Sequence, residues 1–385
     1  MNCLASSVAL DQLEGGVQLS CQPLEDTSCV ERALWTWLTQ LQLQDCVHIL
    51  TMDTPQGLTL SCSLRPALKA AWMPQSDTLD LHSRLGHEAM SADPIALDRE
   101  IVVALLGSPM PFRFASLEAL ASHVRVRRNM TLAARKTALA FKTEAAERPE
   151  AQWQYDEDRG FTLKPGCGLI DALIAATQPE ATGKLYDFSC YRATEYVILL
   201  GIAQELQVHH PDLLGQLQAI NEIHAIRSGQ FHDVFLVEYG SMDKPLPARF
   251  YIPGDRLWFR NPDERSSDVM GYEGSWVIYM GGGLFSNFWK RDQPFTLESK
   301  AIEIYHWRDG VHTDAQGQLQ MDETVVDQRV AQTRADPQAT QRVLDRMLRM
   351  RDAKGVYAEG GCLDTTRECP RSVSRDRCEL VLPHF

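Results

Sequence analysis

The sequence has no two cysteines at Cys-x-x-Cys spacing and no histidines at zinc-site offsets from them. Its ten cysteines (3, 21, 29, 46, 62, 167, 190, 362, 369, 378) are scattered. No structural metal is expected, and no cofactor motif is present. No apolar run approaches the ~20 residues that span a bilayer. Residues 1–7 (MNCLASS) lack the basic start and long apolar core of a signal peptide. The expected compartment is the cytoplasm, where thiols stay reduced, with no membrane partner. Basic charge is also in short supply. Against 51 acidic residues stand 38 Lys and Arg, a formal net charge of -13, with pI about 5.3. That excludes a general nucleic-acid binder. The one basic cluster, Arg125, Arg127, Arg128, Arg135 and Lys136, has helical spacing and is read as a solvated face.

What remains is ordinary globular composition, 44% hydrophobic and 23% charged over 385 residues. That length suits two or three domains. Residues 31–43 place Leu34, Trp35, Leu38 and Leu41 at helical spacing. Residues 47–52 and 58–64 read as strands joined by the turn-rich Asp53 to Gly57, and 98–106 as a helix. Helices follow at 116–126 and 129–142, a hairpin around Trp153 and Phe161, and a helix at 169–177. After a further helix at 212–226, strands are expected at 233–239, 248–252, 256–260 and 275–280. Gly281-Gly282-Gly283 then reads as a hairpin turn. It is not a phosphate loop, because neither a helix start nor a Lys-Ser/Thr pair follows. Residues 296–309 fit a strand or a helix. Residues 323–353 read as two helices divided at Asp336-Pro337, and 354–385 as a loosely ordered tail. The expected division is 1–110 as an N-terminal extension, 111–310 as a catalytic domain and 311–385 as a helical segment with that tail.

The most chemically pointed stretch is Leu185 to Glu195 followed by the apolar run 196–203. Asp187 and Ser189 are both N-cap residue types, so Cys190 falls in the first turn of a buried helix. The partial positive charge and free N–H groups of a helix start favour thiolate over thiol. Cys190 is therefore a candidate nucleophile, against the commoner role of a small buried hydrophobe.

Several stretches, in order, resemble the spore-coat type of bacterial protein-glutamine γ-glutamyltransferase, the transglutaminase of bacilli. They are Phe112 to Leu120, Asn129 to Ala134 with Phe141 to Thr143, Tyr186 to Cys190, Gly254 to Pro262, and Gly274 through Phe285. The resemblance covers about residues 112–307. It implies an α+β fold with a papain-like core, a helix bearing Cys190 packed on an antiparallel sheet. It implies that Cys190 attacks a glutamine carboxamide, releases ammonia and forms a thioester. A lysine or other amine then resolves the thioester to an isopeptide, or water resolves it to glutamate. The partners implied are a protein or peptide glutamine donor and an amine acceptor, without metal or cofactor.

Ser189 replaces a family glutamate before the cysteine, Ser275 the catalytic glutamate, and Asn287 a histidine. A family histidine falls near Glu238. The acid/base partner must therefore come from elsewhere. Glu273 shares a strand face with Ser275, about 7 Å along the strand. Glu238 sits among apolar residues, where burial would raise its pKa. His232 shares Glu238's parity. The candidate catalytic set is Cys190, Glu238, Glu273 and Ser275. A thiol deamidase or amidase on the same core, and a binding protein whose acid/base pair has decayed, are the alternatives.

Overall fold

The computed structural model describes residues 15–20, 27–54, 57–141, 146–351 and 360–384. Residues 1–7, 55–56, 142–143 and 354–359, for which the sequence raises expectations, lie outside the described residues.

The chain opens with β1 (Val17–Ser20), α1 (Thr27–Gln40), β2 (Val47–Thr54) and β3 (Gly57–Leu64), followed by α2 (Pro66–Trp72), α3 (Leu81–Arg84) and α4 (Pro94–Leu106). With β4 (Phe112–Phe114) these strands form a sheet of order β2-β3-β1-β4, in which β4 pairs parallel with β1. The Leu34 and Leu38 stripe of α1 and the apolar face of α4 pack with Leu19, Leu60 and Cys62 into one core.

α5 (Leu117–Lys136) is one helix where two were expected. Ser116 caps it, its hydroxyl accepting from Ala119 N at 3.0 Å. Continuity follows from what its basic residues do. Arg127 is fully buried and paired with Asp255 at 2.8 Å, while Arg125 meets Glu205 and Arg128 meets Asp98. The arginines of the basic cluster are thus an internal clamp rather than the solvated face expected, while Lys136 is exposed as expected. β5 (Ala140–Phe141) pairs parallel with β8 (Asp187–Phe188), and β6 (Trp153–Asp156) with β7 (Gly160–Leu163) forms the expected hairpin. Next come α6 (Leu169–Thr177) and α7 (Cys190–His209). Gly201 lets α5 and α7 approach closely: a Cβ there would lie 2.8 Å from Met130 N.

α8 (Pro211–Ile223) leads to α9 (Gly229–Phe235) and only then to β9 (Leu236–Gly240). The strand expected from residue 233 therefore begins later. Phe231, Val234 and Phe235 are all buried, at helical spacing. Residues 248–252 form no strand, because Thr78 takes up their backbone groups: its hydroxyl bonds both Tyr251 N and Tyr251 O.

β10 (Arg256–Arg260), α10 (Glu264–Ser267) and β11 (Gly274–Ile278) precede the triple glycine. All three glycines hold φ near +70° (76°, 62° and 72°), and Tyr279 bridges Phe285 across the turn. α11 (Leu297–Gly310), the hairpin β12 (Val311–Thr313) and β13 (Leu319–Met321), α12 (Glu323–Ala335) and α13 (Pro337–Met347) follow. The stretch expected as a loosely ordered tail then supplies β14 (Thr366–Pro370) to the second large sheet, whose order is β11-β10-β14-β9. A small hairpin, β15 (Val373–Ser374) and β16 (Arg377–Cys378), ends the described chain.

The architecture is α+β. Among the described residues no helix is long and apolar enough to cross a membrane.

Candidate active site

Cys190 is the first residue of α7. Ser189 caps the helix through its hydroxyl, which accepts from Arg192 N at 3.4 Å. The apolar face of α7, with Val197, Ile198 and Ile202 fully buried, fixes the helix in the core. Its start lies against β11, the edge strand of its sheet. The backbone N–H groups of Trp276 and Tyr191 both serve the Cys190 sulfur.

Two charges act on that sulfur. The Lys300 ammonium favours the thiolate and the Glu273 carboxylate opposes it. Lys300 projects from α11, is 4% exposed, pairs with Glu303 at 3.0 Å and lies over the Phe295 ring at 4.0 Å. Burial outweighs every stabilising contact and pushes the thiol pKa up. This reverses the expectation from the helix start alone. A helix terminus is worth a fraction of what desolvating a thiolate costs, so Cys190 rests as a thiol near neutral pH.

Beside the cysteine stands a ladder of rings and guanidinium groups, created by register. Arg256, Trp258 and Arg260 alternate onto one face of β10, and Trp258 pairs with Trp276. The two indoles stack in parallel at 5.7 Å, and Tyr191 meets Trp276 edge-on at 5.4 Å. The Arg256 guanidinium lies 4.4 Å from the Tyr191 ring and 4.2 Å from the Trp276 ring. Its Nε donates to Thr194 of α7, and its Nη1 pairs with Glu368 of β14 at 3.0 Å. Gly274 has to be glycine here, since a Cβ would collide with the Trp258 indole.

The sequence candidates do not all converge. Glu273 is exposed, immediately before β11, and acts electrostatically on Cys190. Ser275 is half-buried and paired with Phe259, on the face of β11 opposite Trp276. Glu238 is exposed rather than buried, on β9 and opposite Glu368. Three strand spacings, about 14 Å, separate β9 from β11. His232 lies 3.5 Å from Glu368 as well. Glu238 and His232 both act on Glu368, whose pKa burial raises. Asn287 is occupied structurally: its amide donates to Gln293 O and its carbonyl oxygen accepts from Lys290 N.

The cysteine, its backbone donors and its flanking charges fit acyl transfer through a thiol. The sequence matches the family described as protein-glutamine gamma-glutamyltransferase over residues 80–358, well over half of the chain. The chain belongs to that family. It is a transglutaminase-like enzyme, with proteins as the general class of substrate. Among solved structures it is similar to the transglutaminase from Geobacillus stearothermophilus without its C-terminal extension. That likeness has 21% identity and a TM-score of 0.38, over 55% of this chain and 97% of that one. No match is found among curated proteins.

Two features of this transglutaminase escaped the sequence reading. Lys300 carried no signal, being one basic residue in a mixed helix. Glu368 could not be placed beside Arg256 because its strand lies in the stretch with least periodicity. The stacking of Trp258 on Trp276 did have a signal, the strict alternation of Arg256-Leu257-Trp258-Phe259-Arg260.

Proposed function

We propose that Cys190 forms a γ-glutamyl thioester on a papain-like arrangement of α7 against the β11-β10-β14-β9 sheet. Cys190 would attack a glutamine carboxamide. Glu273 would take the thiol proton and deliver it to the departing ammonia. A lysine or other amine would then resolve the thioester to an isopeptide, restoring the thiol. Water resolves it to glutamate in competition. The Trp276 and Tyr191 N–H groups would stabilise negative charge at the reacting centre, and Lys300 would support the developing thiolate.

The observation that carries this reading is Cys190 at the capped start of α7, with the Trp276 and Tyr191 N–H groups at its sulfur and the Glu273 charge acting on it as the weakest of its influences. A protonated thiol needs a base at the moment of attack. Ser275 cannot supply that base at neutral pH, and Glu238 lies across the sheet.

The test measures incorporation of a fluorescent primary amine into casein, together with ammonia release. Cys190→Ala should abolish both with the fold intact. Glu273→Gln should lower kcat/KM by about 10²–10⁴-fold. It should also speed iodoacetamide alkylation of Cys190 at pH 8 modestly, because burial holds that pKa up and the Glu273 charge adds a small part. Unchanged turnover in Glu273→Gln removes the base assignment, and amine incorporation by Cys190→Ala removes the thioester. Ammonia release without amine incorporation would favour the deamidase branch.

A further inference from the structure

A cavity of about 210 Å³ lies against α7 on the side of Arg192, Glu195 and Tyr196. Cys190 is not among its lining residues. Its wall combines aromatic rings, among them Trp153 and Phe161, with three guanidinium groups: Arg148, Arg192 and Arg227. The single carboxylate facing it, Glu195, is already committed to Arg192 at 2.6 Å and to Ser228 N at 2.7 Å.

Arg148 is the unusual member. It is 4% exposed, with its guanidinium 3.2 Å from the Phe188 ring centroid and 4.7 Å from those of Phe161 and Tyr196. Its Nη1 donates only to backbone carbonyls, those of Glu147 and Asp187, and its Nε has no hydrogen-bond partner. Among the described residues no carboxylate lies within ion-pair distance of it. Arg227 likewise donates to a carbonyl, Asp158 O, at 3.2 Å. A buried guanidinium held by rings, carbonyls and the Tyr196 hydroxyl, with the Glu195 charge acting only at longer range, is costly. Its planar fork matches a carboxylate in two parallel hydrogen bonds.

We propose that this cavity binds a small organic carboxylate, its flat apolar body among the rings and its carboxylate on Arg148, with Arg227 at the rim. A dry cavity of about 150 Å³ holds a benzene ring, so this one takes one ring plus a carboxylate. Bare inorganic anions would leave the aromatic walls unused.

The test is titration calorimetry and thermal melting of the full chain with benzoate, benzamide and inorganic phosphate. Benzoate should bind and raise the melting temperature. Benzamide, its neutral isostere, should bind at least about tenfold more weakly, the loss expected for one charge-assisted contact. Arg227→Ala should weaken benzoate binding several-fold. Ala225→Trp, which puts an indole into the cavity without removing a charge, should abolish it with unchanged circular dichroism. The proposal fails if benzoate gives no heat, if benzamide matches it, or if phosphate binds as tightly. It also fails if a folded Ala225→Trp protein binds benzoate like the parent.

Discussion

The molecule contains two four-stranded sheets of the same size, held together by different means. The sheet β2-β3-β1-β4 comes from residues 17–114, and its interior is mostly apolar: Val17, Leu19, Leu60, Cys62 and Leu64 are all buried. The sheet β11-β10-β14-β9 comes from residues 236–370, and one of its two inner strands, β14, is the last of the four along the chain. Buried charge runs through it. Arg256 and Arg367 are each 1% exposed, and Asp255, at the entrance to β10, is fully buried. The contrast teaches where specificity resides. An apolar sheet tolerates reshuffling of similar side chains. A sheet carrying buried ions is destabilised sharply when one partner goes, because the other is left charged in a poor solvent. Cys190 lies against the edge of the second sheet.

The largest break in that comparison should come from Asp255→Ala. Asp255 pairs with Arg127 at 2.8 Å, both side chains being 0% exposed, and accepts from Ile252 N and the Tyr239 hydroxyl. Its removal strands Arg127 and should cost about 4 kcal/mol, read as a lower urea midpoint. The double variant Arg127→Met with Asp255→Leu should recover most of the loss. If Asp255→Ala unfolds at the parental midpoint, buried charge does not hold the second sheet together.

The same contrast sets how much could be read from sequence. α1, β2, β3 and α6 followed from local periodicity, because each buries one face against near neighbours in the chain. The Cys190 helix followed from a cap residue and an apolar run. β14 did not: Thr366-Arg367-Glu368-Cys369-Pro370 shows little alternation and ends in proline, and only burial between two other strands makes it a strand. α5 was divided at its arginines because a charge run looks solvated until its partners arrive from residues 98, 205 and 255. Electrostatics at Cys190 failed for a related reason. The helix start is local and visible, whereas the burial that overrides it is built from distant segments.

A second, smaller effect tests the junction between the two halves. Glu100 of α4 is buried beneath the triple-glycine turn that follows β11, and accepts from Gly282 N at 2.9 Å. Gly281 leaves it room, since a Cβ there would lie 2.9 Å from the carboxylate. Burial pushes the Glu100 pKa up from 4.5 to about 7, against the opposing Gly282 N–H, Arg135 and the Tyr279 hydroxyl. The sign is fixed. Between those two values the folded protein holds a proton that the unfolded chain has released, so stability falls as pH rises through this range and levels off above it. The full drop is on the order of 3 kcal/mol. Glu100→Gln keeps an acceptor for Gly282 and cannot ionise. Urea midpoints at pH 5 and pH 8 should therefore differ less in Glu100→Gln than in the parent. An equal difference in both would mean that Glu100 is ionised throughout.

The smallest expected effect lies in the first sheet and completes the contrast. Gln18 of β1 is 2% exposed, and its Oε1 accepts from Arg113 Nε at 3.1 Å. Arg113 itself is exposed, so it regains water when that bond is lost. The Gln18 Nε2 is buried without a hydrogen-bond partner. Gln18→Leu therefore exchanges one modest hydrogen bond for release of an unsatisfied amide and a gain in apolar contact. The two sides nearly cancel, and the variant should stay within about 1 kcal/mol of the parent. A loss as large as that of Asp255→Ala would show that the first sheet also depends on a specific polar contact, and the distinction between the two sheets would collapse.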